Sequence, residues 1–112
     1  MSTAYPFTHA IVLAAGLGKR MRPLTLHTPK PMINVAGRTL IDRALDQLEP
    51  LNLERVVVNT SYLADQLEAH VATRVRPPVV FSREAEPLET GGGIANALHL
   101  LGNQPFISMN SD

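Results

Sequence analysis

The hydrophobic pattern of this chain changes period repeatedly, and that limits the fold more than any other feature. Residues 9–14, HAIVLA, form an apolar run of strand length, and residues 32–35 read as a second, shorter extended piece. The spacing predicts a helix over 38–51, with Leu40, Ile41, Ala44, Leu45 and Leu48 on one face and Pro50 marking its end. A strand over 55–59 is built on Val56, Val57 and Val58, and a helix over 62–71 repeats Leu63, Leu67 and Val71. After Pro77 and Pro78 come a strand over 79–82, a helix over 91–101 with Ile94, Ala97, Leu98 and Leu101 inward, and a strand over 106–109. Apolar, β-branched strands alternating with helices predict an α/β fold, a mostly parallel sheet with helices on both faces. Such sheets bind ligands beyond the carboxyl ends of their strands. The unusual segments fall there: 16–30 after the first strand, 84–93 after a middle strand and 110–112 after the last.

The first of these lies within LAAGLGKRMRPLTLHTPKPM, residues 13–32. Gly16 and Gly18 allow close backbone approach to a ligand, and amide N–H groups freed in such a turn can receive phosphate oxygens. Arg20 offers a planar fork of donors and Lys30 a point charge, while Pro23, Pro29 and Pro31 reduce the entropy lost on ordering. Net charge is zero, which gives no global attraction to nucleic acid. The distribution is uneven, however. Lys19, Arg20, Arg22, Lys30 and Arg38 precede any acid, and all ten Asp and Glu lie from Asp42 onward. A local excess of this kind suits a compact anion, or simply a basic surface loop. Cysteine is absent, which removes thiolate metal sites, and the four His have no ligand spacing. No apolar run reaches the length of a membrane span, and 11–15 is too short for a signal peptide, so the expectation is a soluble cytoplasmic protein.

Two common phosphate loops do not fit. A dinucleotide fingerprint would need glycine where Met21 stands, and a Walker loop would need Ser or Thr where Arg20 stands. The pattern instead resembles the sugar-1-phosphate nucleotidyltransferase family. The likeness runs through Leu13, Ala14, Ala15, Gly16, Gly18, Arg20, Met21, Pro23, Leu24 and Thr25, then Pro29, Lys30 and Pro31. It continues in Pro87-Leu88-Glu89-Thr90-Gly91-Gly92-Gly93 and in Asn110-Ser111-Asp112.

That resemblance implies a Rossmann-like nucleotide-diphospho-sugar transferase fold and transfer of a nucleotidyl group from a nucleoside triphosphate to a sugar-1-phosphate, releasing pyrophosphate. It implies catalytic roles for Arg20, on the triphosphate, and Lys30, near the α-phosphate. It implies nucleotide contacts from Leu13, Ala14, Ala15, Gly16, Gly18, Lys19, Thr90, Gly91 and Gly92. Thr90 reads as the cap of a helix whose freed N–H groups lie near base and ribose. Glu84 resembles a base-recognising position of guanylyl-transferring members, and a solvated loop carboxylate is the alternative. Asn59 is a weaker candidate for a sugar pocket. Asp112 is expected to hold Mg²⁺ bridged to phosphates. Glu89 departs from the common Leu-Gly-Thr-Ala-Gly pattern, and Glu-Thr-Gly-Gly-Gly looks like the N-acetylmuramate-1-phosphate uridylyltransferase branch of cell-wall recycling, which favours UTP. GTP with mannose-1-phosphate, CTP with choline phosphate, and a non-catalytic nucleotide-sensing or assembly subunit are the alternatives. Because the family's catalytic domain is longer, residues 1–112 are expected to be its amino-terminal, nucleotide-binding part, inactive alone. A sheet so interrupted would have an exposed edge open to self-association. No nucleic-acid or membrane partner is expected.

Overall fold

A computed structural model describes residues 7–111. Strands β1 (His9–Leu13), β4 (Arg55–Thr60), β5 (Val79–Arg83) and β6 (Phe106–Asn110) form one parallel sheet in the order β5-β4-β1-β6. β5 and β6 are its edges. Helices α1 (Leu40–Leu48), α2 (Ala64–Val71) and α3 (Thr90–Leu101) provide the crossovers.

The strands alternate inward-facing residues to both sides, and the core has two layers as a result. Ala10, Val12, Val56 and Val58 pack with Ile41, Leu45 and Leu48 of α1 and with Leu67 and Val71 of α2. Ile11 and Val57 point the other way, onto Ala97 and Leu101 of α3. Burial on both faces is why β1 and β4 read as continuous apolar runs and not as alternating ones.

Three expected elements differ in detail. The extended piece at 32–35 is β2 (Asn34–Val35), which pairs antiparallel with β3 (Arg38–Thr39). The connecting Ala36 and Gly37 both have positive φ, 53° and 87°, as a two-residue hairpin turn of this hand requires. Arg43 donates to the carbonyls of Val35 and Ala36, and Asn34 Oδ1 accepts from Gly37 N, which holds the alanine in that conformation. The helix expected from residue 38 therefore begins at Leu40, where Thr39 caps it by accepting from Asp42 N at 3.1 Å. The helix expected over 62–71 begins at Ala64, after Leu63 in the left-handed region.

An ionic clasp joins α1 to α2 and the turn that follows it. His70 Nε2 donates to Asp42 Oδ2 at 2.7 Å, and Arg74 bridges Asp42 and Asp46 at 2.9 and 3.0 Å. Burial raises the Asp42 carboxyl, but hydrogen bonds from His70, Arg74 and Thr39 outweigh it and bring it from 3.8 down to about 2.

Candidate functional site

The register brings Leu13, Asn59, Ser82 and Asn110 level at the carboxyl ends of the four parallel strands. Two adjoining clefts open beyond them. The first, about 570 Å³, is walled by residues 13–16, Lys30, Pro31, Asn59, residues 88–91, Asn110 and Ser111. The second, about 540 Å³, is walled by residues 16–21, Lys30 and residues 87–89. Gly16, Lys30, Leu88 and Glu89 border both.

The basic loop is shaped by three 3-10 turns, Lys19–Met21, Leu24–Leu26 and Lys30–Met32. Gly18 starts the first with φ 66°. A Cβ there would lie 2.7 Å from Thr25 Cγ2, so glycine is needed for both conformation and space. Thr25 is fully buried and donates to Gly18 O at 2.7 Å, folding the loop back on itself. Tyr62 Oη donates to Thr25 O at 2.7 Å and Gln66 Nε2 to His27 O at 2.9 Å, which ties the loop to the start of α2. These anchors join residues more than thirty positions apart, and no local pattern in the sequence reveals them.

Of the residues expected to contact nucleotide, Leu13, Ala14, Ala15, Gly16, Lys30, Thr90 and Gly91 line the first cleft, and Gly18, Lys19 and Arg20 line the second. The early basic residues divide. Lys19, Arg20 and Lys30 border the clefts, whereas Arg38 lines neither and makes a two-pronged pair with Asp46 at 2.5 and 2.7 Å. Asp112, the expected Mg²⁺ ligand, lies outside the described residues.

Three expectations change. Thr90 is not the helix cap: Glu89 occupies that position with extended backbone, its side chain makes no capping bond, and Thr90 is the first helical residue. Gly92 lines neither cleft, and its missing Cβ leaves room for Leu88, which would stand 3.2 Å away. Glu84 is not a solvated carboxylate, being only 4% exposed. Its Oε2 accepts from Asn59 Nδ2 at 3.0 Å and its Oε1 from Leu88 N at 2.9 Å. Asn59, 3% exposed, also accepts from Ala14 N at 2.5 Å, so its amide is engaged at both ends. Asn59, which the sequence suggested for a sugar pocket, lines the first cleft, and its amide also ties β1 to the segment after β5.

Chemically the clefts offer a mixed surface. Backbone of residues 13–16 and three cations stand on one side, and the start of α3 with the Glu89 carboxylate on the other. Cations and amides of this kind suit a ligand carrying several phosphates, and the partly apolar walls at Leu13, Pro31 and Leu88 suit a ring.

The MobA-like NTP transferase domain matches residues 10–112. The chain belongs to this family. Its relatives include the N-acetylmuramate alpha-1-phosphate uridylyltransferase of Caulobacter vibrioides, 51% identical over 92% of this chain and 45% of that protein. The mannose-1-phosphate guanylyltransferase catalytic subunit beta of Drosophila melanogaster is 37% identical over 94% of the chain and 30% of its own length. Among solved structures, HddC from Yersinia pseudotuberculosis, complexed with GMP-PN, superposes with a TM-score of 0.81 at 33% identity, over 95% of this chain and 48% of that one. The chain thus spans less than half the length of these NTP transferase relatives. In this family's terms, the clefts at the carboxyl ends are the part of the domain that the chain itself supplies.

Proposed function

We propose that the protein carrying this chain is a sugar-1-phosphate nucleotidyltransferase that uses UTP, with N-acetylmuramate-1-phosphate as acceptor. The observation that carries the reading is the convergence of the Gly16–Gly18 turn, Arg20, Lys30 and the start of α3 around adjoining clefts in a chain of the MobA-like family. The choice of uridylyl chemistry rests on the Glu89-Thr90-Gly91-Gly92-Gly93 segment and on the 51% identity to the Caulobacter uridylyltransferase.

In the proposed reaction a phosphate oxygen of the sugar-1-phosphate attacks the α-phosphorus of the triphosphate. A P–O bond forms there as the bond to the β-phosphate oxygen breaks, and pyrophosphate leaves with the bonding pair. No covalent enzyme intermediate is needed, so positioning and charge stabilisation carry the rate. Arg20 and Lys19 border the second cleft and would neutralise the departing pyrophosphate. Lys30 borders both clefts and would stand where the α-phosphate meets the incoming phosphate. The backbone of residues 13–16 would run along the nucleotide, with residues 89–91 opposite.

Mg²⁺ belongs to this reading, and when bound it would supply positive charge to offset that of the phosphates. Among the described residues no group of three or more His, Asp or Glu side chains could hold a metal. Asp112, which the resemblance assigns to the ion, would be its carboxylate ligand, and an ion of this kind takes only one or two carboxylates beside water and phosphate oxygens.

The deciding experiment is pyrophosphate release by the whole protein from UTP, GTP and CTP, each paired with N-acetylmuramate-1-phosphate, mannose-1-phosphate and choline phosphate. UTP with N-acetylmuramate-1-phosphate is expected to give the highest kcat/KM. Preference for GTP, which the likeness to the Drosophila guanylyltransferase and to HddC makes the second reading, would move the protein to that branch. No release from any pair would refute the activity.

A further inference from the structure

The two walls of the nucleotide cleft come from segments far apart in sequence, residues 13–16 and residues 88–91. They are joined at the cleft floor by an unbroken chain of hydrogen bonds, buried from Ala14 to Glu84 and part-buried at Leu88. Ala14 N donates to Asn59 Oδ1 at 2.5 Å, Asn59 Nδ2 donates to Glu84 Oε2 at 3.0 Å, and Leu88 N donates to Glu84 Oε1 at 2.9 Å. The segment bearing the carboxylate is fixed in turn by Glu84 N donating to Thr60 O at 2.7 Å. The first turn of α3 lies directly on the Asn59–Glu84 pair. A Cβ on Gly93 would stand 2.8 Å from Asn59 Nδ2 and 3.2 Å from Glu84 Oε2, so glycine is what permits the contact. Each donor in this chain meets an acceptor, and Glu84 spends one oxygen on each neighbour.

We propose that Glu84, acting through Asn59 and Leu88 N, is a positioning residue that sets the width of the nucleotide cleft without itself touching the nucleotide, since it lines neither cleft. Ala14 belongs to one wall and Leu88 begins the other, and Asn59 and Glu84 are the spacer between them. Buried, and with each of its polar side-chain atoms bonded, this spacer holds the two walls at one separation. Cleft width then governs triphosphate binding, while the acceptor's own contacts are unaffected. The inference rests on the nucleotide-binding reading above.

Donor and acceptor complementarity gives the test. In E84Q the new amide has a single acceptor oxygen, so its NH₂ opposes either Asn59 Nδ2 or Leu88 N, donor against donor. In N59D two carboxylates face each other across the 3.0 Å contact. In the double variant N59D/E84Q the pattern is complementary again. The new aspartate accepts from Ala14 N and from the new glutamine, whose oxygen accepts from Leu88 N. Shape and net charge are those of the parent.

The whole protein, its two single variants and the double variant would be compared by urea unfolding, UTP binding with Mg²⁺, and KM and kcat for each substrate. Each single variant is expected to weaken UTP binding and raise its KM at least roughly tenfold. KM for the acceptor should be little changed. The double variant should return to within about threefold of the parent. Preference among UTP, GTP and CTP should match the parent's once binding is restored. Recovery of stability without recovery of UTP affinity would overturn the proposal, because it would mean that Glu84 contacts the nucleotide itself. An E84Q variant that binds UTP as the parent does would overturn it too. A parent that binds no triphosphate would remove both this inference and the functional reading, whereas a binding parent with an unrescued double variant removes the inference alone.

Discussion

Gly16 and Gly18 are two positions apart and serve different ends, and alanine at each separates them. Gly18 has φ 66°, and an added Cβ would be 2.7 Å from Thr25 Cγ2 and 3.2 Å from Lys30 Cβ. The left-handed backbone alone costs an alanine about 1–2 kcal/mol. Thr25 cannot easily yield, being fully buried, bonded through its hydroxyl to Gly18 O and held through its carbonyl by Tyr62. Forcing a methyl into such packing costs about 1–3 kcal/mol more. Gly18→Ala should therefore destabilise by about 2–5 kcal/mol, concentrated in the basic loop. At Gly16 an added Cβ meets nothing within 4 Å, and the residue borders both clefts. Gly16→Ala should leave stability within about 0.5 kcal/mol of the parent. Its methyl would stand in the ligand's space and should weaken triphosphate binding roughly tenfold. Urea unfolding with parallel UTP titrations of parent and both variants makes the comparison. A Gly18→Ala protein as stable as the parent, or a Gly16→Ala protein that loses more than about 1 kcal/mol, would refute the division of roles.

Arg20 is exposed at the second cleft, so Arg20→Ala should leave urea stability unchanged. Loss of a charged phosphate contact of about 1.5–3 kcal/mol should lower kcat/KM by roughly 10- to 100-fold, measured as pyrophosphate release. Asp42, held at about 2 against its ordinary 3.8, binds fewer protons folded than unfolded near pH 3. Its contribution of about 2 kcal/mol is complete above about pH 4 and fades as pH falls toward 2. The stability difference between the parent and Asp42→Asn, followed by urea unfolding across that range, should shrink accordingly. A difference that stays constant would mean that the clasp does not set the carboxyl's titration.

The fold was readable wherever one residue's neighbours along the chain decide its burial. Val56, Val57 and Val58 could only be a strand covered on both faces, and the α1 stripe of Ile41, Ala44, Leu45 and Leu48 could only face a sheet. The hairpin at 34–39 was not readable for a physical reason. Ala36 adopts positive φ, which alanine disfavours alone, because Arg43, seven residues later, takes up its carbonyl. The misplaced helix cap has a similar cause. Thr90 is a better capping residue than Glu89, yet the backbone turns one position earlier, with Gly93 N donating to Glu89 O at 2.8 Å and Leu88 N fixed by Glu84.

The site was legible to the extent that its chemistry depends on residue type. Glycines, Arg20 and Lys30 at fixed spacing pointed to phosphate, and the clefts collect them. Spacing along the chain, however, cannot say whether a polar side chain faces the ligand or the scaffold. Glu84 carries the same carboxylate in either case. What decides is that Asn59 arrives from β4, twenty-five positions away, with a donor to meet it, and that Gly93 closes over the pair. The Glu84 carboxylate is buried, lines neither cleft and is bonded inside the protein through both oxygens, and its removal would leave Asn59 and Leu88 N with unanswered donors. Such a residue influences binding through the positions of others. On the proposal above, the same property makes it recoverable by a compensating change at Asn59, its partner in the 3.0 Å contact.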